Sequence, residues 1–288
     1  MLKLSLVITT KNRARYFERA LAALIREKRE GYPNTEIVVT DAGSTDGTAD
    51  VVRKNEAHID RWISKSDSGV SEGVNRAFAM ATGDVIWATG DDDIIVSGSS
   101  VKMMDYLKHH PEIDVVFGHH KIFVESEDGM VKESTWLMPY TVGKVTKRTI
   151  CRFLYADFVV PETGFFRKRV VDLVGGYDLR LHYFAFWDFF FRLEKAGARM
   201  WTIPELVIHR HTTPVSDTLL GPASPRWKQE YDSVAYRHGG VYWLVWHRCS
   251  GKITVRKVLA MCRKDLGARF NIHPRKWRDE VLARWKSH

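Results

Sequence analysis

Residues 70–93 read VSEGVNRAFAMATGDVIWATGDDD, and this stretch decides the fold. Its first part predicts a helix over 70–81, stopped by Thr82-Gly83. DVIWAT (84–89) then reads as a short apolar strand, and Asp91, Asp92 and Asp93 leave its end. Three adjacent carboxylates repel one another unless a cation or a set of donors sits among them. The stretch therefore presents a helix, a buried strand and a candidate ligand site in immediate succession.

The same rhythm extends towards the start of the chain. LKLSLVITT (2–10) is an apolar run rich in β-branched residues and predicts a buried strand. Residues 13–30 place Tyr16, Phe17, Ala20, Leu21, Leu24 and Ile25 on one helical stripe, which Gly31 ends. TEIVVTD (35–41) predicts a second strand, GSTDGTADVVRKNEA a turn into a second helix, and IDRWIS (59–64) a third strand. Strand and helix thus alternate three times, the pattern of a parallel sheet covered on both faces. Ligands of such sheets bind beyond the carboxyl ends of the strands. Three of these ends are polar: Thr9-Thr10-Lys11-Asn12, Asp41, and Asp91–Asp93.

Towards the other end the expected elements are a helix over 99–110, a strand over 113–123 and a turn at 127–130 between possible hairpin arms. A less regular region over 131–160 follows, then helices over 167–178 and 184–197. One strand or two short ones run up to residue 211. Residues 212–225 carry three prolines among small polar residues and read as a linker or mobile loop. The division expected is a catalytic domain over 1–211, with halves of about 1–98 and 99–211, and a basic helical extension over 226–288.

The 288 residues are 44% hydrophobic and 27% charged, a globular composition long enough to bury a sizeable core. No apolar run approaches the ~20 residues that span a bilayer, and the opening residues read as a strand rather than a signal peptide. Cys151, Cys249 and Cys262 are widely spaced without metal-ligand pattern, as expected of reduced thiols in a cytosolic protein. The net charge of +9 is concentrated: residues 245–288 hold twelve Lys/Arg against three acids, which accounts for all of it.

Asp91 and Asp93 in an Asp-x-Asp arrangement at a strand end suit a hard divalent cation shared with a ligand's phosphate oxygens. The plainer alternative is that one caps a helix while the others are solvated. DAGSTDGT (41–48) and SDSGVSEGVN (66–75) each read equally well as strand-to-helix turns, with Asp46 and Thr48 satisfying backbone donors.

Taken together, SLVITTKN, EIVVTDAGSTDGT, SDSGVSEGVNRAFAMATGDVIWATGDDD and VDLVGGYDLRLHYFAFWDFFFRLEKAG occur in this order at sensible distances. The combination resembles family 2 glycosyltransferases of bacterial cell-surface polysaccharide assembly over roughly residues 3–211. The resemblance implies the GT-A fold, an α/β architecture with a mostly parallel central sheet flanked by helices. It implies an inverting transfer of a sugar from a nucleotide-diphosphate sugar, with UDP favoured, to a saccharide or lipid-linked acceptor. It also implies a divalent metal, Mn²⁺ or Mg²⁺. By position, Thr9, Thr10, Asn12, Asp41, Asp67 and Asp92 correspond to donor-nucleotide contacts, and Asp91 and Asp93 to metal ligands.

The chain departs from the family at three places. Alignment from Gly83 puts Thr89 and Gly90 at the first two positions of the family's metal motif, with Asp91 and Asp92 at the last two; a second register uses Asp91 and Asp93. Phe186 stands where the acceptor-activating base is expected, which leaves Asp188 as first candidate and Glu162, in PETGFF, as second. The plainer reading of Asp188 is an ion pair with Arg192, one turn on. In HRHTTPVS, His209 and His211 are candidates for contact with the diphosphate.

The tail mixes Trp, aliphatic residues and bases in a helical rhythm, which favours an anionic membrane surface over nucleic acid as its partner. The expected location is cytoplasmic, peripheral on the inner face of the cell membrane. A second function class stays open: a degenerate domain that binds nucleotide sugar or membrane without catalysing transfer. A nucleotidyltransferase fits poorly, because TTKNRARY has no glycine to cradle phosphates after the first strand.

Overall fold

A computed structural model describes residues 1–126, 130–133, 142–147, 149–150, 160–213 and 224–239. The three cysteines, residues 127–129 of the expected turn at 127–130, most of the proline-rich segment and the basic stretch from residue 240 onward lie outside the described residues.

The alternation read from the first ninety residues is present. Strands β1 (Leu4–Thr10), β2 (Thr35–Asp41), β3 (Arg61–Ser64) and β4 (Val85–Thr89) alternate with helices α1 (Ala14–Glu30), α2 (Thr48–Lys54) and α3 (Val70–Met80). All four strands are parallel, in the spatial order β3-β2-β1-β4. Their side chains split between two layers as the pleat requires. Leu4, Leu6 and Ile8 pack with Phe17, Leu21 and Leu24 of α1. Val7, Val38 and Ile86 pack with Val74, Ala77 and Phe78 of α3 on the opposite face. The result is a mostly parallel α/β sheet with helices on both sides, as the GT-A expectation requires.

Beyond β4 come β5 (Ile94–Ile95), α4 (Ser99–His109), β6 (Val115–Glu125), β7 (Val131–Glu133), β8 (Gly143–Val145), β9 (Gly164–Arg167), α5 (Lys168–Val174), α6 (Ala185–Lys195), β10 (Met200–Thr212) and α7 (Pro225–Gly239). The sheet continues from β4 through β9, β6 and β10 to β5, with β7 paired to β6 and β8 to β10. β6 and β7 form the antiparallel arms expected around the Asp-Gly turn. β9 is antiparallel to both neighbours, Trp87↔Phe165 on one side and Phe117↔Gly164 on the other. Sequence reading left this strand unassigned: it is four residues long and runs straight into α5, so no period of two develops. β10 is one strand, with irregular register against β6 between Thr202 and Ile208.

Buried carboxylates fix the helices. Glu27 of α1 is 1% exposed and accepts from the Gly98 and Ser100 backbone N–H groups at 2.7 and 2.9 Å, capping α4. Glu230 of α7 holds the approach to α6: it accepts from the N–H groups of His182, Tyr183 and Phe184, the residues just before that helix, at 2.8–3.4 Å. Val234 and Ala235 of α7 are buried. The compact unit accordingly runs from Met1 to His238, so the first helix of the stretch read as an extension from 226 packs within that unit.

Candidate functional site

The polar ends of β1, β2 and β4 meet at one edge of the sheet, because parallel strands in register finish together. Thr10 lies opposite Asp41, and Ile8 opposite Thr89. Antiparallel β9 begins where β4 ends, so the 3₁₀ turn Pro161–Thr163 that feeds it arrives at the same edge. The end of β10 arrives there too, because Ile208 and His209 pair with β5.

β1 presents alternate side chains to two halves of this edge. Thr10 Oγ1 donates to Asp91 Oδ2 at 2.9 Å. Thr9 faces α3, where a Cβ added at Gly73 would lie 3.1 Å from Asp67 Oδ2 and 3.6 Å from Thr9 Cβ. Gly73 therefore makes the space in which Thr9 and Asp67 approach. Asp67 Oδ1 also accepts from the Gly69 N–H at 3.0 Å.

The turns after β1 and β2 are knitted together. Asn12 adopts φ +51°, accepts from the Thr45 N–H at 2.8 Å and donates its own N–H to Ser44 Oγ at 2.7 Å. Asp46 accepts from Ala14 and Thr48 N–H groups, so one carboxylate serves the starts of both α1 and α2. Asp41 is buried with both oxygens engaged: Ser44 donates through Oγ to Oδ1, and Ser64 through Oγ to Oδ2, each at 2.5 Å.

The three aspartates divide between two groups. Asp91 and Asp92 share the guanidinium of Arg13. Its Nε stands 3.3 Å from Asp91 Oδ1, and its Nη2 donates to Asp92 Oδ2 at 2.5 Å and to Thr213 Oγ1 at 3.0 Å. Asp93 turns towards β10 and accepts from the His211 N–H at 3.0 Å. A side chain at Gly90 would collide with it, since a Cβ there would sit 2.9 Å from Asp93 Oδ2. Burial pushes Asp91 up to about 7; the Arg13 charge opposes the rise and Asp92 adds to it. Burial likewise raises Asp93 well above the carboxylate range, with Asp92 and Glu162 contributing. Buried acids pushed upward in this way mark an edge that favours a cation.

Glu162 belongs to this edge. Trp87 Nε1 donates to its backbone carbonyl at 2.7 Å, pinning the 3₁₀ turn to β4. Arg210 Nε stands 3.9 Å from its Oε2. The Glu162 charge adds to the upward push on Asp93 and on the buried Tyr177 hydroxyl. His209 and His211 flank Phe123, with centroid separations of 5.0 and 5.3 Å. Burial holds both imidazoles below their ordinary pKa, which favours neutral rings. The Thr89 hydroxyl and His211 Nδ1 are buried at this edge without a hydrogen-bond partner.

Asp188 is placed differently. It is 1% exposed in the body of α6, and its oxygens accept from Arg192 Nε at 2.6 Å and Arg237 Nη1 at 3.0 Å, with His238 Nε2 at 2.8 Å. Burial pushes its carboxyl up, but the hydrogen bonds from His238 and Arg192 outweigh this and hold it below the usual range. The ion-pair reading of Asp188 is therefore the arrangement observed, with two further partners supplied by α7.

Sequence reasoning missed Arg13, Ser44, Ser64, Glu230 and His238. Arg13 had a usable signal: it is the cation immediately after the polar end of β1, one strand from the acids. Ser64 ends β3 as Asp41 ends β2, and the parallel register Asp41↔Ser64 pairs them. Glu230 and His238 carry no local signal, because only the packing of α7 brings them to α6.

The expected metal pair, Asp91 and Asp93, is turned apart, since Asp93 faces the His211 N–H; it is Asp91 and Asp92, the pair of the other register, whose carboxylate oxygens converge on one positive group, an arrangement that fits Mn²⁺ or Mg²⁺ completed by phosphate oxygens. Among the described residues no set of three or more His, Cys, Asp or Glu forms a ready-made metal cage, so the cation would depend on a ligand for part of its shell.

Comparison with known proteins bears on the family and the fold. A glycosyltransferase of PGL/p-HBAD biosynthesis from Mycobacterium bovis is 26% identical over 193 residues, spanning 64% of this chain and 67% of the relative. The GalNAc(5)-diNAcBac-PP-undecaprenol beta-1,3-glucosyltransferase of Campylobacter jejuni is 26% identical over 176 residues, spanning 60% of this chain and 54% of that protein. Among solved structures, S. aureus TarS 1–349 in complex with UDP-GlcNAc superposes with a TM-score of 0.63 at 18% identity, covering 81% of this chain and 64% of that one. The mannosyltransferase PcManGT of Pyrobaculum calidifontis, solved with GDP-Man and Mn²⁺, gives 0.58 at 15% identity, covering 96% and 83%. At these identities the two structures share the fold. The profile of glycosyl transferase family 2 matches residues 5–173, more than half the chain. With the parallel strand ends, the acid edge and this match in agreement, the chain belongs to glycosyl transferase family 2 and is a glycosyltransferase.

Proposed function

We propose that the chain transfers a sugar, with inversion, from a nucleoside-diphosphate donor to a saccharide or lipid-linked acceptor. The observation that carries this reading is the convergence of Thr10, Asp91, Asp92, Asp93 and Glu162 on one edge of the sheet. The names of the two relatives support a place in surface-glycan or lipid-linked sugar synthesis, and the UDP-GlcNAc complex of TarS and the GDP-Man complex of PcManGT support a nucleotide-sugar donor, of which we favour a UDP-sugar.

In this proposal Asp41, Asn12, Thr9, Thr10 and Asp67 line the nucleoside end, while Asp91, Asp92 and Asp93 line the diphosphate end with His209 and His211 alongside. For Asp41 to accept from a ring N–H, it must share oxygens now given to Ser44 and Ser64. A divalent cation bound there would neutralise charge on the departing diphosphate. The acceptor oxygen attacks the anomeric carbon as the bond to the diphosphate oxygen breaks, and the acceptor proton passes to a carboxylate. We assign that proton to Glu162, which is 23% exposed in its side chain and stands at the acid edge, whereas both Asp188 oxygens are taken. Asp188 then acts by positioning: it ties α6 to α7.

One observation favours a second reading. Phe186 occupies the expected base position and Asp188 is engaged, as they would be in a domain that binds donor without transferring sugar. The basic stretch 245–288 supports attachment to the anionic cytoplasmic face of a membrane at about 1 kcal/mol per surface base. Among the described residues no helix is long and apolar enough to cross a bilayer.

The test is a thermal-shift panel of UDP-, GDP- and dTDP-sugars with Mn²⁺, since a donor that binds only the folded state stabilises it by an amount that grows with the logarithm of its concentration over Kd. One donor class is expected to raise Tm; a panel without any shift contradicts the proposal.

A further inference from the structure

Arg13 is the one cation that bridges Asp91 and Asp92 among the described contacts. Its backbone is fixed: the carbonyl accepts from Tyr16 and Phe17 N–H groups at 3.0 and 2.9 Å, and its N–H donates to Thr48 Oγ1 at 3.2 Å. Only the side chain is free to change partners. Its guanidinium carbon lies 5.3 Å from the centroid of Tyr16, which also neighbours Arg15 and Arg19. The side chain is one-fifth exposed, so a route to solvent is open. Its Nε is buried and makes no hydrogen bond.

We propose that Arg13 is an internal counter-ion that yields the Asp91–Asp92 pair to a divalent cation, and that this exchange makes metal and nucleotide binding interdependent. This rests on the reading of the acid edge as the diphosphate site.

The argument is one of charge and geometry. A guanidinium does not lose its proton at any ordinary pH, so it leaves the acids only by moving. One positive charge against two carboxylates leaves the pair short of neutral, and a divalent ion completes the balance. For a free metal, that gain is offset by loss of the charge-assisted bonds of Arg13. A diphosphate arriving with the metal changes the balance, because it offers the displaced fork an anion of matching shape. Metal alone should therefore bind weakly, and metal with nucleotide well. By reciprocity each ligand raises the affinity of the other by the same factor.

The test is titration of the full chain with Mn²⁺, followed by electron paramagnetic resonance of the free ion, for wild type, Arg13→Gln and Arg13→Lys, with and without UDP. Without nucleotide, Arg13→Gln should bind Mn²⁺ on the order of tenfold tighter than wild type, the worth of a charged hydrogen bond. Arg13→Lys, which keeps the charge but not the fork, should fall between. UDP should tighten Mn²⁺ binding on the order of tenfold in wild type and by a smaller factor in Arg13→Gln. Equal or weaker Mn²⁺ binding by Arg13→Gln overturns the proposal, and a merely structural Arg13 gives that result. Should Arg13→Gln fail to fold, Mn²⁺ affinity of Arg13→Lys no higher than wild type overturns it as well. The nucleotide-free comparison needs no donor, so it fails independently of the donor reading, which the thermal-shift panel decides.

Discussion

Replacing Asp188 separates a positioning carboxylate from a chemical one. In the structure it is 1% exposed and meets Arg192 at 2.6 Å, His238 at 2.8 Å and Arg237 at 3.0 Å. Removing one partner of a buried ion pair costs about 3–5 kcal/mol, because the charge left behind is uncompensated. Two features place Asp188→Ala at the lower end. Arg192 keeps its bonds to the Val174 and Gly176 carbonyls, and the Arg237 side chain is 39% exposed, so water takes over part of its solvation. A loss of about 3 kcal/mol corresponds to a Tm lower by about 6–12 °C for a unit of this size. Asp188→Asn, which retains one acceptor oxygen, should lose less. The assay is thermal unfolding followed by circular dichroism, with donor affinity measured on the same samples well below Tm. A variant with unchanged Tm and abolished transfer would refute the reasoning and return Asp188 to the role of general base.

Three further outcomes follow from named contacts. Glu162→Gln should reduce transfer by about 10²–10⁴-fold while leaving donor affinity within a few-fold of wild type, the signature of a lost proton acceptor; equal loss in both places the residue in donor binding instead. Glu230→Ala removes the acceptor for three N–H groups just before α6 and should lower stability by about 1–3 kcal/mol in urea titration; an unaltered midpoint would show that α7 does not hold this segment. Glu36 is buried, which pushes its pKa up, but Lys3, Ser5 and Thr82 outweigh this and bring it down to about 2. Its unfolded value is higher, so its contribution is fully present above about pH 4.5 and drains away as pH falls towards 2. The contribution is about 3 kcal/mol, and Glu36→Gln should flatten the acid limb of a plot of urea midpoint against pH.

The parallel half of the sheet was legible because β1, β2 and β4 are apolar runs whose ends carry Thr10, Asp41 and Asp91, and periodicity reports burial directly. The acid edge followed from the rule that such strand ends converge. β9 and β5 were not legible: four and two residues are too few for a period, and their strand character comes from neighbours hundreds of atoms away in sequence. The surroundings of Asp188 are hidden from the sequence for the same reason. Asp188 and Arg192 are one turn apart and legible as a pair, but Arg237 and His238 close over them from α7, and no local pattern announces that contact. Arg13 shows a further limit, because a sequence gives the sign of a charge without the partner it chooses.

The reading of the site turns on the acid edge carrying donor turnover. Its most direct test is Mn²⁺-dependent release of nucleoside diphosphate from the panel of UDP-, GDP- and dTDP-sugars, comparing the full chain with Asp91→Ala. The account predicts release from one donor class by wild type and a loss of at least about 100-fold in the variant. Tight donor binding with no release from any donor by wild type, or equal release by Asp91→Ala, would contradict it.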